Sequence, residues 1–222
     1  MTAAATRLLW TRSNEQWDEA TLSAARERVP DVLLDAMPNY RRWQDVQMGL
    51  CGKLLLARTL QLADVDPSIM TSMTWSETSR PTLPIDGDFN ISHSGGLIAC
   101  AHSARARLGL DLEAIRDVPL EDIMQALSTE ERRGLLDADD PINEFYRIWT
   151  FKEAVIKADG RGVGLDLPEI SSLGDAVRVG DDEWHVQRLR LVDGYDTHIA
   201  CDHELGAIDA REAPLEELLS CR

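Results

Sequence analysis

The sequence has 222 residues, with 39 acidic and 23 basic side chains and a formal net charge of −16. A chain of this length forms one large domain or two small ones, and it buries enough surface to fold without disulfides or a metal. So acidic a composition excludes general binding to nucleic acid or to an anionic membrane, both of which need basic surface. The charge is unevenly placed: residues 1–110 hold 11 basic and 12 acidic side chains, residues 111–222 hold 12 and 27. Twenty of the basic residues are Arg, and only Lys53, Lys152 and Lys157 are Lys.

Residues 1–10 lack an apolar core long enough for a signal peptide, and no run of about 18 apolar residues follows. The expectation is a cytoplasmic chain that does not span a membrane. Cys51, Cys100, Cys201 and Cys221 show no C-x-x-C spacing and read as reduced, structural thiols. Cys100-x-His102 and Cys201-x-His203 could suggest zinc, but neither has the partner pair that a closed site needs.

The first expected helix covers 17–29, after which Pro30 and Pro38 punctuate the chain. From 39 to 62 the apolar residues Trp43, Val46, Leu50, Leu54 and Leu55 fall at three- and four-residue spacings, the period of a helix face. Residues 64–88 carry Pro67, Pro81, Pro84 and Gly87 and read as loop, with room for one short strand. Three short strands are expected over 89–92, 97–102 and 107–113, separated by Gly95-Gly96 and a polar turn near Ser103.

The second half turns helical, first over 119–127. Ser128-Thr129-Glu130-Glu131 has the capping-box pattern that opens another helix. A third runs over 142–158 and ends at Gly160. Segments around 177–179, 184–191 and 197–201 alternate like antiparallel strands, and the acidic tail from Asp209 is expected to close on the surface. Tyr40-Arg41-x-Trp43 is echoed by Tyr146-Arg147-x-Trp149 at an offset of 106. The echo fits an α+β fold of two similar halves, placed here at 1–105 and 106–222.

Three constellations could carry chemistry. In Gly109-Leu110-Asp111-Leu112-Glu113 a strand turns Asp111 and Glu113 to one face and the leucines to the other. Two carboxylates so placed repel unless a cation or proton lies between them, and Mg²⁺ favours such oxygen ligands. Taken alone, the segment reads first as a half-buried strand with a solvated polar face.

The second is 149–157, where a helix aligns Trp149, Glu153 and Lys157 in one stripe. A Glu–Lys pair four residues apart is commonly surface decoration. Here the stripe starts at a Trp, and the segment holds two of the three lysines. In an Arg-rich chain a Lys reads as a compact ammonium suited to phosphate or proton donation. The third is Asn90-Ile91-Ser92-His93-Ser94-Gly95-Gly96, a strand ending in small polar residues whose amides and hydroxyls suit phosphate oxygens. A structural His93 is the competing reading. No nucleophile elbow accompanies the Ser-His pair. Gly49-x-x-Gly52-Lys53 lacks P-loop spacing, and Gly160-x-Gly162 follows a helix rather than a strand.

Taken together, the three constellations resemble the phosphopantetheinyl transferases of the larger, surfactin-synthetase-activating type. That family shows F-N-I/L-S-H-S, then G-I/V-D-I/V/L-E, then W-x-x-K-E-A/S-x-x-K followed by glycines. The matching residues are Phe89 to Ser94, Gly109 to Glu113, and Trp149-x-x-Lys152-Glu153-Ala154-x-x-Lys157 with Gly160 and Gly162. Outside this stretch the likeness is looser, although Asp45 and Gly52-Lys53 look like the family's N-terminal helix motif.

The resemblance implies a pseudo-twofold pair of similar α+β halves with coenzyme A bound in the cleft between them. It implies transfer of phosphopantetheine from coenzyme A to a serine of an apo acyl or peptidyl carrier protein, releasing 3′,5′-ADP. Asp111, Glu113 and Glu153 would hold Mg²⁺ or Mn²⁺, with Glu153 as general base and Lys157 at the phosphate and leaving group. Ser92 and His93 would contact the phosphates of coenzyme A. The segment after Lys157 through 160–164 would meet the carrier. A monomer is expected, since the two halves already supply the pair.

Two departures bear on the 3′-phosphate. Ser79-Arg80-Pro81 stands where the family shows G-K-P, so Arg80 keeps the charge with a different fork. Position 44 is Gln where a basic residue is common, which leaves Arg41 and Arg42 as the nearest candidates. The competing functions are an idle relative that binds coenzyme A or a carrier without transfer, and a Mg²⁺-dependent nucleotide pyrophosphatase.

Overall fold

Helix α3 (Trp43–Leu62) is the longest among the described residues, and its apolar stripe explains why the N-terminal part folds around it. In the computed structural model, which describes residues 6–76 and 80–220, Leu50, Cys51, Leu54 and Leu55 are all but fully buried. They pack on Leu9, Phe89, Ile98 and Cys100 of a four-stranded sheet. Each such leucine contributes about 1.5–3 kcal/mol on burial.

The chain divides into two units. The first is Met1–Arg105 with Ala207–Arg222, and the second is Ala106–Gly206. The first unit's sheet is built from β1 (Thr6–Arg12), β4 (Asp88–Ser94), β5 (Leu97–Ser103) and β10 (Ile208–Glu212), in the order β10-β1-β5-β4. A separate two-stranded ribbon joins β2 (Thr74–Trp75) to β3 (Pro81–Thr82) within the segment expected as loop. Helices α1 (Glu19–Glu27) and α2 (Asp31–Asp35) precede α3, where the sequence suggested one helix and a break.

The tail corrects the sequence reading. It was expected to close on the surface and belong with 106–222. Instead β10 pairs in parallel with β1, from Thr6↔Ile208 to Trp10↔Glu212, and α7 (Leu215–Ser220) follows. Ala213 and Leu218 enter the first unit's core. The tail's acidity is absorbed locally: Arg211 and Arg58 each lie 2.8 Å from Glu217 and hold its carboxyl down to about 2.

The second unit is an antiparallel sheet of order β6-β9-β8-β7, comprising β6 (Leu108–Ala114), β7 (Ala176–Val179), β8 (Asp182–Leu189) and β9 (Tyr195–Cys201). Helix α6 (Pro141–Asp159) lies across β6 and β9. Phe151, Ala154, Val155 and Ala158 pack onto Val177, Trp184, Val186 and Ala200. The helix starts with an Asp140 cap and Pro141 and ends at Gly160, whose φ of 83° is the left-handed conformation that glycine adopts without strain.

Before it, α4 (Leu120–Ile123) runs into a short 3₁₀ turn, and α5 (Thr129–Asp137) opens on the expected capping box of Ser128 and Glu131. The fold is therefore α+β, each unit setting one long helix on a four-stranded sheet. The Tyr-Arg-x-Trp echo falls at different points of the two helices, because Trp43 opens α3 whereas its counterpart Trp149 lies well inside α6.

Among the described residues no helix is long and apolar enough to cross a membrane. Cys51, Cys100 and Cys201 are buried free thiols, and burial pushes the first two up to about 12. Cys221 and Ser79 lie outside the described residues.

Candidate active site

Strand β6 alternates as expected. Leu108, Leu110 and Leu112 are fully buried on one face, while Gly109, Asp111 and Glu113 take the other. That second face meets α6, because a Cβ at Gly109 would lie 2.1 Å from the Ala154 carbonyl oxygen. A side chain there would hold the helix away, so the glycine lets helix and strand backbones touch. Asp111 is 3% exposed beneath the helix, and Glu113 is half-buried.

Helix α6 supplies the other side. Glu153 and Lys157, one turn apart and both half-buried, follow Trp149 along the predicted stripe. Lys157 Nζ donates to Asp111 Oδ1 at 2.6 Å. Burial pushes the Glu153 carboxyl above its ordinary range, and the charges of Asp111 and Glu113 push the same way, with Lys157 opposing. The structure thus brings Asp111, Glu113, Glu153 and Lys157 into one electrostatic neighbourhood.

The carboxylates repel one another, and their oxygens are the donors that a hard divalent cation prefers. Among the described residues no group of three His, Cys, Asp or Glu side chains is already arranged to hold a metal ion. The donor set fits such an ion chemically: three acids crowd one lysine, so added positive charge would relieve the repulsion. A group of this kind can hold a cation against phosphate oxygens and accept a proton on Glu153.

Lys152 does not share this site. Its side chain is fully buried, 2.7 Å from Glu131 Oε2 and 2.7 Å from the Leu167 carbonyl oxygen. Glu131 also accepts from the backbone N–H groups of Ser128 and Ser172. Burial would push Glu131 up, but Lys152 and these donors outweigh it and hold the carboxyl below its ordinary value. Lys152 is therefore a structural clamp, and the phosphate role expected of Lys157 stays with Lys157 as a proposal.

Sequence reasoning found the neighbouring strand, expected at 197–201 and observed as Tyr195–Cys201, but missed the residues it sets opposite the site. In the ladder His198 lies directly across from Asp111, and Asp196 directly across from Glu113. The signal was present as the polar alternation Asp196-x-His198, but its register against β6 had no local marker.

The remaining candidates belong to the first unit. Ser92 is buried on β4, and His93, next to it, points to the opposite face and is exposed. Arg41 and Arg42 are exposed just ahead of α3, where Arg42 is the capping residue and lies 3.9 Å from Asp45. Arg80 is ion-paired with Asp88, which also accepts the Phe89 N–H. Part of its guanidinium fork is therefore already engaged.

The second unit's crowded acids and single lysine are of the kind that handle phosphate with a hard cation. Comparison with known proteins gives the family. The model of the 4′-phosphopantetheinyl transferase superfamily matches residues 107–214. The chain is 34% identical over 134 residues to 4′-phosphopantetheinyl transferase Sfp of Bacillus subtilis, a match covering 58% of each. It is 30% identical over 168 residues to 4′-phosphopantetheinyl transferase AcpT of Salmonella typhimurium, covering 72% of this chain and 80% of that one. Against AcpT of Escherichia coli it is 32% identical over 151 residues, covering 64% and 69%. The chain belongs to the 4′-phosphopantetheinyl transferase superfamily, although its match spans little more than half the length of the Bacillus protein.

Proposed function

We propose that the protein, as a monomer, transfers phosphopantetheine from coenzyme A to a serine hydroxyl of an apo acyl or peptidyl carrier protein. The observation that carries this reading is the meeting of Glu153 and Lys157 with Asp111 and Glu113, at the spacings shared with the family. In the transfer, the serine oxygen bonds to the phosphorus that bears the pantetheine arm. The bond from that phosphorus to the bridging pyrophosphate oxygen breaks, and 3′,5′-ADP leaves.

Glu153 takes the serine proton, directly or through water. Its burial raises its basicity, the direction that suits a general base. Lys157, held by Asp111, presents its ammonium to the phosphate and to the charge that gathers on the leaving oxygen. Asp111, Glu113 and Glu153 would hold Mg²⁺ or Mn²⁺, which when bound neutralises pyrophosphate charge.

In the first unit Ser92 and His93 would contact phosphates of coenzyme A, with Arg41, Arg42 and Arg80 as candidates for the 3′-phosphate. The turn after Lys157, through Gly162–Gly164, would meet the carrier. Incubation with coenzyme A, Mg²⁺ and a panel of apo carriers tests the reading by intact mass. A carrier gaining one phosphopantetheine is expected. No gain on any carrier would refute it, and release of phosphopantetheine with no carrier present would mark a pyrophosphatase instead.

A further inference from the structure

Thr150, Glu153, Ala154 and Lys157 fall at helix positions i, i+3, i+4 and i+7, so they share the face of α6 that lies on the sheet. At one end of this face, the Gly109 contact lets the backbone at Ala154 and Ala158 settle onto β6. At the other end Thr150, fully buried, engages β9. Its Oγ1 lies 2.8 Å from His198 Nδ1, 3.2 Å from Asp196 Oδ1 and 2.7 Å from the Tyr146 carbonyl oxygen.

Asp196 is 1% exposed and receives the Arg188 guanidinium from β8. Burial would raise its carboxyl, but the bonds from His198 and Arg188 outweigh this and keep it ionised. An ionised Asp196 and the Tyr146 carbonyl can only accept, so the one hydroxyl hydrogen is shared between them, with the Tyr146 oxygen the nearer. The His198 Nδ1–H then points between Oγ1 at 2.8 Å and Asp196 Oδ1 at 3.3 Å, and its ring packs edge-on to Phe151 at 5.8 Å.

We propose that Thr150, Asp196 and His198 act as a positioning unit that fixes α6 over β6, and thereby sets Glu153 and Lys157 against Asp111 and Glu113. The inference rests on the reading of those four as the reactive set. Apolar packing alone would hold the helix as firmly, since a buried charged set is often no more stable than its apolar replacement. What apolar packing lacks is direction. A hydroxyl bound to two side chains of β9 specifies one register along the helix axis. Those side chains are the cross-strand partners of Asp111 and Glu113 themselves. A displacement of about 1 Å at such a site can cost ~10²-fold in rate.

The test compares Thr150→Val, which removes the hydroxyl at nearly constant volume, with Thr150→Ser, which keeps it. Binding of Mn²⁺ alone, without coenzyme A, is read from the spin-resonance signal of the free ion, and kcat and KM are measured in the transfer assay. Thr150→Val is expected to weaken Mn²⁺ binding and lower kcat, each by about 10–100-fold, with little change in KM for coenzyme A. Thr150→Ser is expected to stay close to the parent in both. Should Thr150→Val fail to fold, Asp196→Asn is read against the same expectations. Parent-like Mn²⁺ binding and kcat in the Val variant would overturn the proposal, as would equal losses in Val and Ser. A parent that binds Mn²⁺ but transfers nothing refutes the transferase reading, and the Mn²⁺ comparison still decides the positioning role. A parent that binds no Mn²⁺ overturns both.

Discussion

Gly109 meets Ala154 so closely that a Cβ on the glycine would sit 2.1 Å from the alanine carbonyl oxygen. The Ala158 nitrogen would be 2.3 Å away, so backbone rather than a flexible side chain blocks the space. Gly109→Ala must therefore lift α6 from β6. It should lower stability by about 1–3 kcal/mol or more and reduce transfer far beyond that loss. Urea unfolding and the carrier assay on the same preparation check this, and a variant matching the parent in both would contradict the contact.

Glu153 should be a costly residue to fold around. Its folded-state pKa is raised, first by burial and then by Asp111 and Glu113. Above the ordinary carboxyl range the unfolded state ionises freely while the folded state resists, so stability falls as pH rises through that window. Glu153→Gln removes the penalty. Without metal it should melt above the parent at pH 7, and the gap should close as pH falls below 4.5, where both states are protonated. The same variant should be inactive in transfer. Melting curves at pH 4 and pH 7 decide the matter, and a variant less stable at pH 7 would count against the crowded acids.

The Lys152–Glu131 pair is fully buried on both sides. Removing one partner leaves an uncompensated charge, at a cost of roughly 3–5 kcal/mol. Lys152→Met alone should therefore destabilise strongly, and Lys152→Met with Glu131→Leu should recover part of the loss. Denaturant midpoints of the single and double variants measure it. A single variant as stable as the parent would show that the pair is not held as described.

Acid should weaken the fold through two buried imidazoles. Burial is the first cause that lowers the pKa of both His102 and His198. Unfolded, each titrates near 6.5, so the unfolded state takes up protons first as pH drops. Their contribution is full above 6.5 and drains away below it. His102 Nε2, buried without a hydrogen-bond partner, is the simpler case to isolate. His102→Gln should flatten the fall in stability between pH 7 and pH 5, and an unchanged slope would assign it to other groups.

Where one element carried the pattern, the sequence was legible. The spacing of Leu50, Leu54 and Leu55 forecast α3, the Ser128–Glu131 box forecast the start of α5, and Gly160 forecast the end of α6. The strand period put Asp111 and Glu113 on one face and the helix period put Glu153 and Lys157 on one stripe, but only the family resemblance implied that the two surfaces meet. Partners far apart in sequence left no such trace. The pairing of β10 with β1 joins opposite ends of the chain, and the run Ile208–Glu212 is too charged to read as a strand. The buried pairing of Lys152 was not legible, because its partner Glu131 looked like a helix cap and nothing more. Thr150 meets Asp196 across 46 positions, with only the register of β9 to align them.

The most direct test of the account is the mass of an apo carrier after incubation with coenzyme A and Mg²⁺, for the parent and for Glu153→Gln. A gain of one phosphopantetheine on the serine is expected with the parent, and none with a folded Glu153→Gln. A Glu153→Gln variant that modifies the carrier at the parent's rate would contradict it.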